Sequence, residues 1–135
     1  MDDQNIKQGW EGEKIIREIL KKHNHDFAQL DLVSIDKSGK IYLWEVKHQE
    51  RFKAPPFDGH GLPPWQFKFR LNFAKRIGAI PMLAVVEPEC GIFEKKIVLI
   101  QSLFELDKLP KTDIFITKSG KRIVFNIKAF KAVEI

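Results

Sequence analysis

Leu30-Asp31-Leu32-Val33-Ser34-Ile35-Asp36-Lys37-Ser38-Gly39-Lys40-Ile41-Tyr42-Leu43-Trp44-Glu45-Val46-Lys47 is the stretch that decides the fold. Residues compatible with a β-strand run from Phe27 to Ile35 and again from Ile41 to Val46. Between them Asp36-Lys37-Ser38-Gly39 is a turn, with glycine where a positive φ is needed. Residues 27–47 therefore read as an antiparallel hairpin.

Upstream, residues 9–22 read as an amphipathic helix. Ile15, Ile16, Ile19 and Leu20 make one stripe, and Asn24 is its stop signal. Downstream, residues 48–64 read as a long loop with paired prolines at 55–56 and 63–64 and glycines at 59 and 61. Prolines stiffen such a loop, and glycines give it local freedom. Pro64 opens a second helix that Gly78 closes near Ile77. Ile80 to Val86 is a strand apolar enough to be buried on both faces. A turn over 87–94 leads to a strand at Ile97–Ile100, and Ser102 caps one helical turn to Leu106. Ile114–Thr117 and Arg122–Ile127 form a closing hairpin around Ser119-Gly120. The order predicts an α/β fold, with a central mixed sheet flanked by helices plus a C-terminal β-hairpin. The whole chain, 1–135, reads as one domain.

Composition narrows the class. At 135 residues, 44% hydrophobic and 30% charged, the chain can bury a core of its own. Its longest apolar run is too short to span a bilayer, so no membrane partner is expected. Met1-Asp2-Asp3-Gln4 is unlike a secretory signal. Cys90, the lone cysteine, excludes an intrachain disulfide and a multi-cysteine zinc site, and it lacks an obvious base partner. A cytoplasmic location is expected.

The net charge of +5 is concentrated. Residues 47–76 hold seven Lys or Arg against Glu50 and Asp58, and seven minus two equals the charge of the whole chain. The same segment carries Phe52, Phe57, Trp65, Phe67, Phe69 and Phe73. Basic residues interleaved with aromatics suit a phosphate backbone with exposed bases nearby. Arg51, Lys53, Lys68, Arg70 and Lys75 are the candidate DNA contacts. The plainer alternative after Pro64 is a helix with an apolar face and a solvated basic one, since Phe67, Leu71 and Ala74 follow helical spacing.

The chemistry centres on Asp31, Glu45 and Lys47. Charged groups in apolar strands cost free energy unless something compensates them. The hairpin brings Asp31 near Glu45, and two close carboxylates repel unless a cation sits between them. Mg²⁺ is such a cation, taking oxygen ligands and keeping several waters. Lys47 shares a strand face with Glu45 by period-two alternation. It can polarise a water or neutralise charge on a pentavalent phosphate. Glu13, at the edge of the helical stripe, is a third candidate carboxylate facing the sheet, and Gly12 would let that helix approach closely. The alternative is a satisfied hairpin aspartate beside a surface ion pair. Glu94-Lys95-Lys96 repeats the acid-x-Lys pattern without a strand before it. The four histidines make no ligand pair on one helix face, and there is no phosphate-binding glycine loop.

Gly9-x-x-x-Glu13, Asp31, Glu45-Val46-Lys47 and then Gln66 opening a helix before an apolar strand resembles the PD-(D/E)xK nuclease superfamily. Gly9-Trp10-Glu11-Gly12-Glu13-Lys14-Ile15-Ile16-Arg17-Glu18 looks like the start of archaeal-type Holliday junction resolvases. The helix ending in Gly78 also looks like the RecU resolvases. The resemblance covers residues 9–87. It implies a restriction-endonuclease-like core and a metal-dependent DNA endonuclease of recombination or repair. Mg²⁺, or Mn²⁺ in its place, would be held by Asp31, Glu45 and the Val46 carbonyl. Glu13 would hold a second metal or a metal-bound water, Lys47 would assist hydrolysis, and Gln66 would orient Lys47 or the water. It further implies a homodimer on a branched or duplex DNA. The rivals are a restriction-like or repair endonuclease on another DNA form, a non-cleaving DNA-binding module, and a domain whose basic loop binds an acidic protein.

Overall fold

A computed structural model describes residues 3–88, 97–116 and 120–134. The turn residues 89–96, with Cys90 and the Glu94-Lys95-Lys96 copy, lie outside them, as do residues 117–119 of the closing hairpin. No helix among the described residues is long and apolar enough to cross a membrane.

The chain opens with helix α1 (Asp3–Lys22). Asn24, at φ 60°, stops it. His25 N–H bonds Leu20 O at 2.9 Å and Asn24 N–H bonds Lys21 O at 3.1 Å, the paired closing bonds of a left-handed helix terminus. Strands β1 (Leu32–Ile35) and β2 (Ile41–His48) form the expected antiparallel hairpin. Its turn is built by Asp36. The Asp36 carboxylate accepts from Ser38 Oγ at 2.6 Å, Ser38 N at 2.9 Å and Lys40 N at 3.0 Å, while Gly39 takes φ 91°. The Ser38 hydroxyl, then the Lys40 amide, lowers the Asp36 pKa to about 2. The first strand is shorter than the 27–35 read from the sequence. It begins only where register with β2 begins, at Leu32 opposite Trp44.

Residues 48–64 are not a loop. They hold strands β3 (Phe52–Ala54) and β4 (Phe57–Leu62), turned by Pro55-Pro56. Gly59 and Gly61 serve close approach instead of freedom. A Cβ on Gly59 would stand 1.7 Å from Phe125 O, and one on Gly61 would stand 1.9 Å from Ile123 O. Helix α2 (Pro64–Ile77) and strand β5 (Ile80–Val86) fall where the sequence puts them, with Gly78 at φ 71°. Strand β6 (Ile97–Ser102) follows. Ser102 Oγ accepts from Phe104 N at the start of the short helix α3 (Leu103–Asp107). Strands β7 (Lys111–Ile116) and β8 (Gly120–Asn126) make the closing hairpin. A 3₁₀ turn at Ile127–Ala129 and strand β9 (Lys131–Glu134) complete the chain, neither foreseen from the sequence.

The fold is α+β. One sheet is mixed, in order β1-β2-β5-β6-β9, with β2 and β5 parallel and α2 between them in sequence. The other is antiparallel, in order β3-β4-β8-β7. A shared core joins the sheets: Leu83 and Val85 of β5 and Leu99 of β6 cluster with Leu62 of β4, Phe125 of β8, and Phe67 and Leu71 of α2. Helix α1 stands apart. The core over β2 and β5 is filled by α2, α3 and the second sheet, so Ile15, Ile16 and Ile19 stay exposed, and a Cβ on Gly12 would meet nothing within 4 Å among the described residues.

Candidate functional site

Strand β2 alternates its side chains, and Leu43 and Glu45 both fall on its buried face. A carboxylate only 7% exposed needs partners, and Glu45 has two. Lys47 Nζ lies 3.2 Å from Glu45 Oε1, as same-face alternation requires. Arg70 Nη2 donates to Glu45 Oε2 at 2.6 Å and to Gln29 O at 2.5 Å. Arg70 is itself 8% exposed, and its Nη1 has no hydrogen-bond partner among the described residues. Asp31 sits just before β1, not within a strand. Its Oδ2 accepts from Val46 N at 2.8 Å, closing the ladder where β1 has not yet begun. Asp31, Glu45, Val46 and Lys47 are therefore together, and Arg70 ties Glu45 to the segment that carries Asp31.

The remaining expected residues divide. Gln66 lies in the first turn of α2, four residues before Arg70, and its side chain makes no hydrogen bond among the described residues. Glu13 is largely exposed, 3.6 Å from Arg17, and does not pack on the sheet. It faces Asp31 across a groove of about 710 Å³ between α1 and residues 27–31. Lys53 and Lys68 are exposed, and Lys75 Nζ lies 6.0 Å from the centre of the Phe104 ring. Arg70 is corrected outright: a guanidinium enclosed under α2 and bonded to Glu45 is no surface contact for a phosphate.

A second cluster went unread in the sequence. Gln49 and Glu87 lie immediately past the last paired residues of β2 and β5, His48 and Val86. Arg51 Nε donates to both Glu87 oxygens, at 3.0 and 2.9 Å. His60 of β4 is fully enclosed. Its Nδ1 lies 3.3 Å from Gln49 Nε2, and its Nε2, which has no hydrogen-bond partner among the described residues, lies 3.7 Å from Glu87 Oε1. Burial pushes the His60 imidazole below its ordinary pKa, against the pull of the Glu87 carboxylate. One signal could have found this cluster. Gln49 continues the Glu45, Lys47 series on the same strand face. Arg70 falls between Phe67, Leu71 and Ala74 on the apolar face of α2, but the buried acid that draws it inward lies on β2, 25 residues away in sequence.

Two carboxylates and a backbone carbonyl are the oxygen donors that Mg²⁺ accepts, and Mg²⁺ needs no more than one or two carboxylates when waters complete its shell. The donor set fits that ion in kind. Among the described residues, no three or more His, Cys, Asp or Glu side chains are grouped to hold a metal. Any such ion would therefore rest on Asp31 and Glu45 with water, and would compete with Lys47 for Glu45 Oε1. No family model matches the chain, and no curated protein matches it, so the reading of the site rests on its own residues.

Proposed function

We propose that the chain is a metal-dependent DNA endonuclease that hydrolyses phosphodiester bonds. Supporting this reading is one observation above all. Asp31 accepts from the Val46 amide, while Glu45 and Lys47 of the same strand end lie 3.2 Å apart. A carboxylate pair beside an ammonium group suits hydrolysis of a phosphodiester. The carboxylates gather positive charge, and the ammonium stabilises the charge that develops on phosphorus oxygens. Mg²⁺ or Mn²⁺, when bound, would supply Lewis acidity and a water of lowered pKa. Asp31, Glu45 and the Val46 carbonyl would hold it. Lys47 would donate to the phosphate or orient the water, and Gln66 would help to position either. Arg70 fixes the rotamer of Glu45. Glu13, engaged with Arg17, is not called on. The resemblance to resolvases favours a four-way junction among DNA forms, and the basic segment 47–76 favours a polyanion.

The test is cleavage of plasmid, linear duplex, single strands and a four-way junction in Mg²⁺, Mn²⁺ or EDTA. Cutting that needs the metal, and that Asp31→Asn, Glu45→Gln and Lys47→Ala each abolish while DNA binding persists, is the expected result. Three variants that cut like the parent would move the site elsewhere. A second reading, a non-cleaving DNA-binding module, draws on the fact that both Glu45 oxygens are already held by Lys47 and Arg70. It predicts salt-dependent DNA binding with no cutting in any metal.

A further inference from the structure

Helix α2 carries two rows of side chains that its part in the core leaves outside. Trp65, Phe69 and Phe73 recur every four residues, and so do Lys68, Asn72 and Arg76. Residues three and four apart are neighbours on a helix surface, so the two rows run side by side. The other face, with Phe67, Leu71 and Ala74, is buried in the core. Trp65 is 71% exposed and makes no hydrogen bond or ring contact among the described residues. Phe69 and Phe73 are half-buried and stacked on each other, with centroids 5.7 Å apart and an interplanar angle of 26°. Phe73 also packs on the cluster of Leu43, Ala74 and Ala79. The aromatic row is thereby anchored on the face of β2 that carries Glu45, and Arg70, next to Phe69 in sequence, holds that carboxylate.

Chemistry narrows what can lie on these rows. The helix has four basic residues and no acidic one. Arg70 is engaged with Glu45 and Arg76 with Asp26, but Lys68 is exposed and makes no ion pair among the described residues. A polyanion suits such a helix. An anionic membrane needs a broad apolar face to bury, and that face of α2 is already in the core. A DNA duplex meets the cations but shows its bases only by their edges, which leaves the rings unused. An unpaired strand uses both rows, its phosphates going to cations and its bases stacking on aromatic faces. Trp65 and Phe69 are one turn apart, about 6 Å along the helix axis. That is close to twice the roughly 3.4 Å step of stacked bases, which leaves room for one base between the two rings.

We propose that the Trp65 and Phe69 row of α2 is a stacking platform for the unpaired bases of single-stranded or branched DNA, with Lys68 on the adjoining row taking phosphate. This rests on the reading of the chain as a DNA enzyme and narrows its substrate to DNA with unpaired bases beside the Asp31 and Glu45 site.

The experiment is titration of the full chain with an oligothymidine and with a blunt duplex of equal length, in EDTA so that nothing is cut. Tryptophan emission and the anisotropy of labelled DNA are followed. The parent should bind the oligothymidine with quenching of its emission. Trp65→Ala should weaken that binding about tenfold or more, while duplex binding and the slope of log K against log salt stay as in the parent. Trp65→Phe should keep most of the affinity but lose the quenching, since a ring remains and the reporter is gone. Phe69→Leu, folded by circular dichroism, should also weaken the oligothymidine alone, and Lys68→Ala should flatten the salt slope. A parent that binds no oligothymidine overturns the proposal, as does a Trp65→Ala variant that binds it like the parent or weakens on the duplex equally. Anionic phospholipid vesicles that lose binding in Trp65→Ala, with oligothymidine binding intact, overturn it in favour of a membrane. Cleavage in Mg²⁺ separates the two readings. A chain that cuts DNA while Trp65→Ala binds normally keeps the nuclease and loses the platform. A chain that binds oligothymidine through Trp65 and cuts nothing in any metal keeps the platform and loses the nuclease.

Discussion

Glu45 lies in β2 and Glu87 just past the end of its parallel neighbour β5, and each stands beside a guanidinium and a second basic side chain. They differ in depth. Glu45 is enclosed beneath α2 with Arg70, and only Lys47 reaches toward solvent. Glu87 lies past the end of β5, its Arg51 partner is 46% exposed, and His60 behind it is fully enclosed. A buried pair is costly to half-remove, because the orphaned charge keeps its desolvation penalty. A pair at the rim has water as an alternative partner, so its loss changes stability little. The inner cluster is therefore built to hold position, whereas the outer one leaves Arg51 open to water.

The comparison breaks most sharply at Arg70. Arg70→Met leaves Glu45 buried without its main partner and should cost roughly 3–5 kcal/mol in urea unfolding. Adding Glu45→Gln should restore part of that loss, as a double-mutant cycle would show. If Arg70→Met is as stable as the parent, Glu45 is not enclosed. Next in size is Gly61→Ala in β4, the strand that carries His60. Its Cβ would meet the Ile123 carbonyl, which is backbone and cannot swing aside, so a loss at the top of about 1–3 kcal/mol is expected.

His60 sharpens the contrast through pH. Its folded pKa lies below the ordinary imidazole value of 6.5, so below pH 6.5 the unfolded chain takes up a proton that the folded chain refuses. The His60 contribution is thus fully present above pH 6.5 and is lost progressively as pH falls toward the folded value. Unfolding at pH 5 and pH 7 should show this loss in the parent, and His60→Gln should reduce it. A parent and a variant with the same pH slope would mean that His60 is not the group responsible. The smallest effect is expected at Arg51. Arg51→Ala should cost under about 1 kcal/mol, since the Arg51 side chain is 46% exposed. It should nevertheless flatten the salt dependence of DNA binding, measured as log K against log salt.

Much of this was legible in the residues. Asp36-Lys37-Ser38-Gly39 encodes its turn locally, through an aspartate that bonds the next amides and a glycine at φ 91°. Pro64 and Gly78 bracket α2, and Ser102 caps α3, because helix ends are settled by one or two residues each. The meeting of Glu45 and Lys47 follows from strand alternation. Residues 48–64 misled because prolines and glycines mark loops in isolation. Here Gly59 and Gly61 are small because β8 lies against them, and β8 is more than sixty residues away in sequence. Arg70 misled in the same way. A basic residue reads as surface until the strand beneath it is known to carry a buried acid.

By itself the sequence determined the helix limits, the first hairpin, the central apolar strand and the two residues Asp31 and Glu45 that a hairpin must bring near. These depend on capping, turn chemistry and periodicity, all of which act within a few residues. Tertiary structure alone decided that Arg70 turns inward, that Gln49, His60, Glu87 and Arg51 form one cluster, and that the α1 stripe finds no place on the core. Those outcomes depend on which surfaces meet across the chain. A charged side chain goes inside only where an opposite charge from a distant segment offsets its desolvation. An apolar stripe stays outside when other elements have already filled the core.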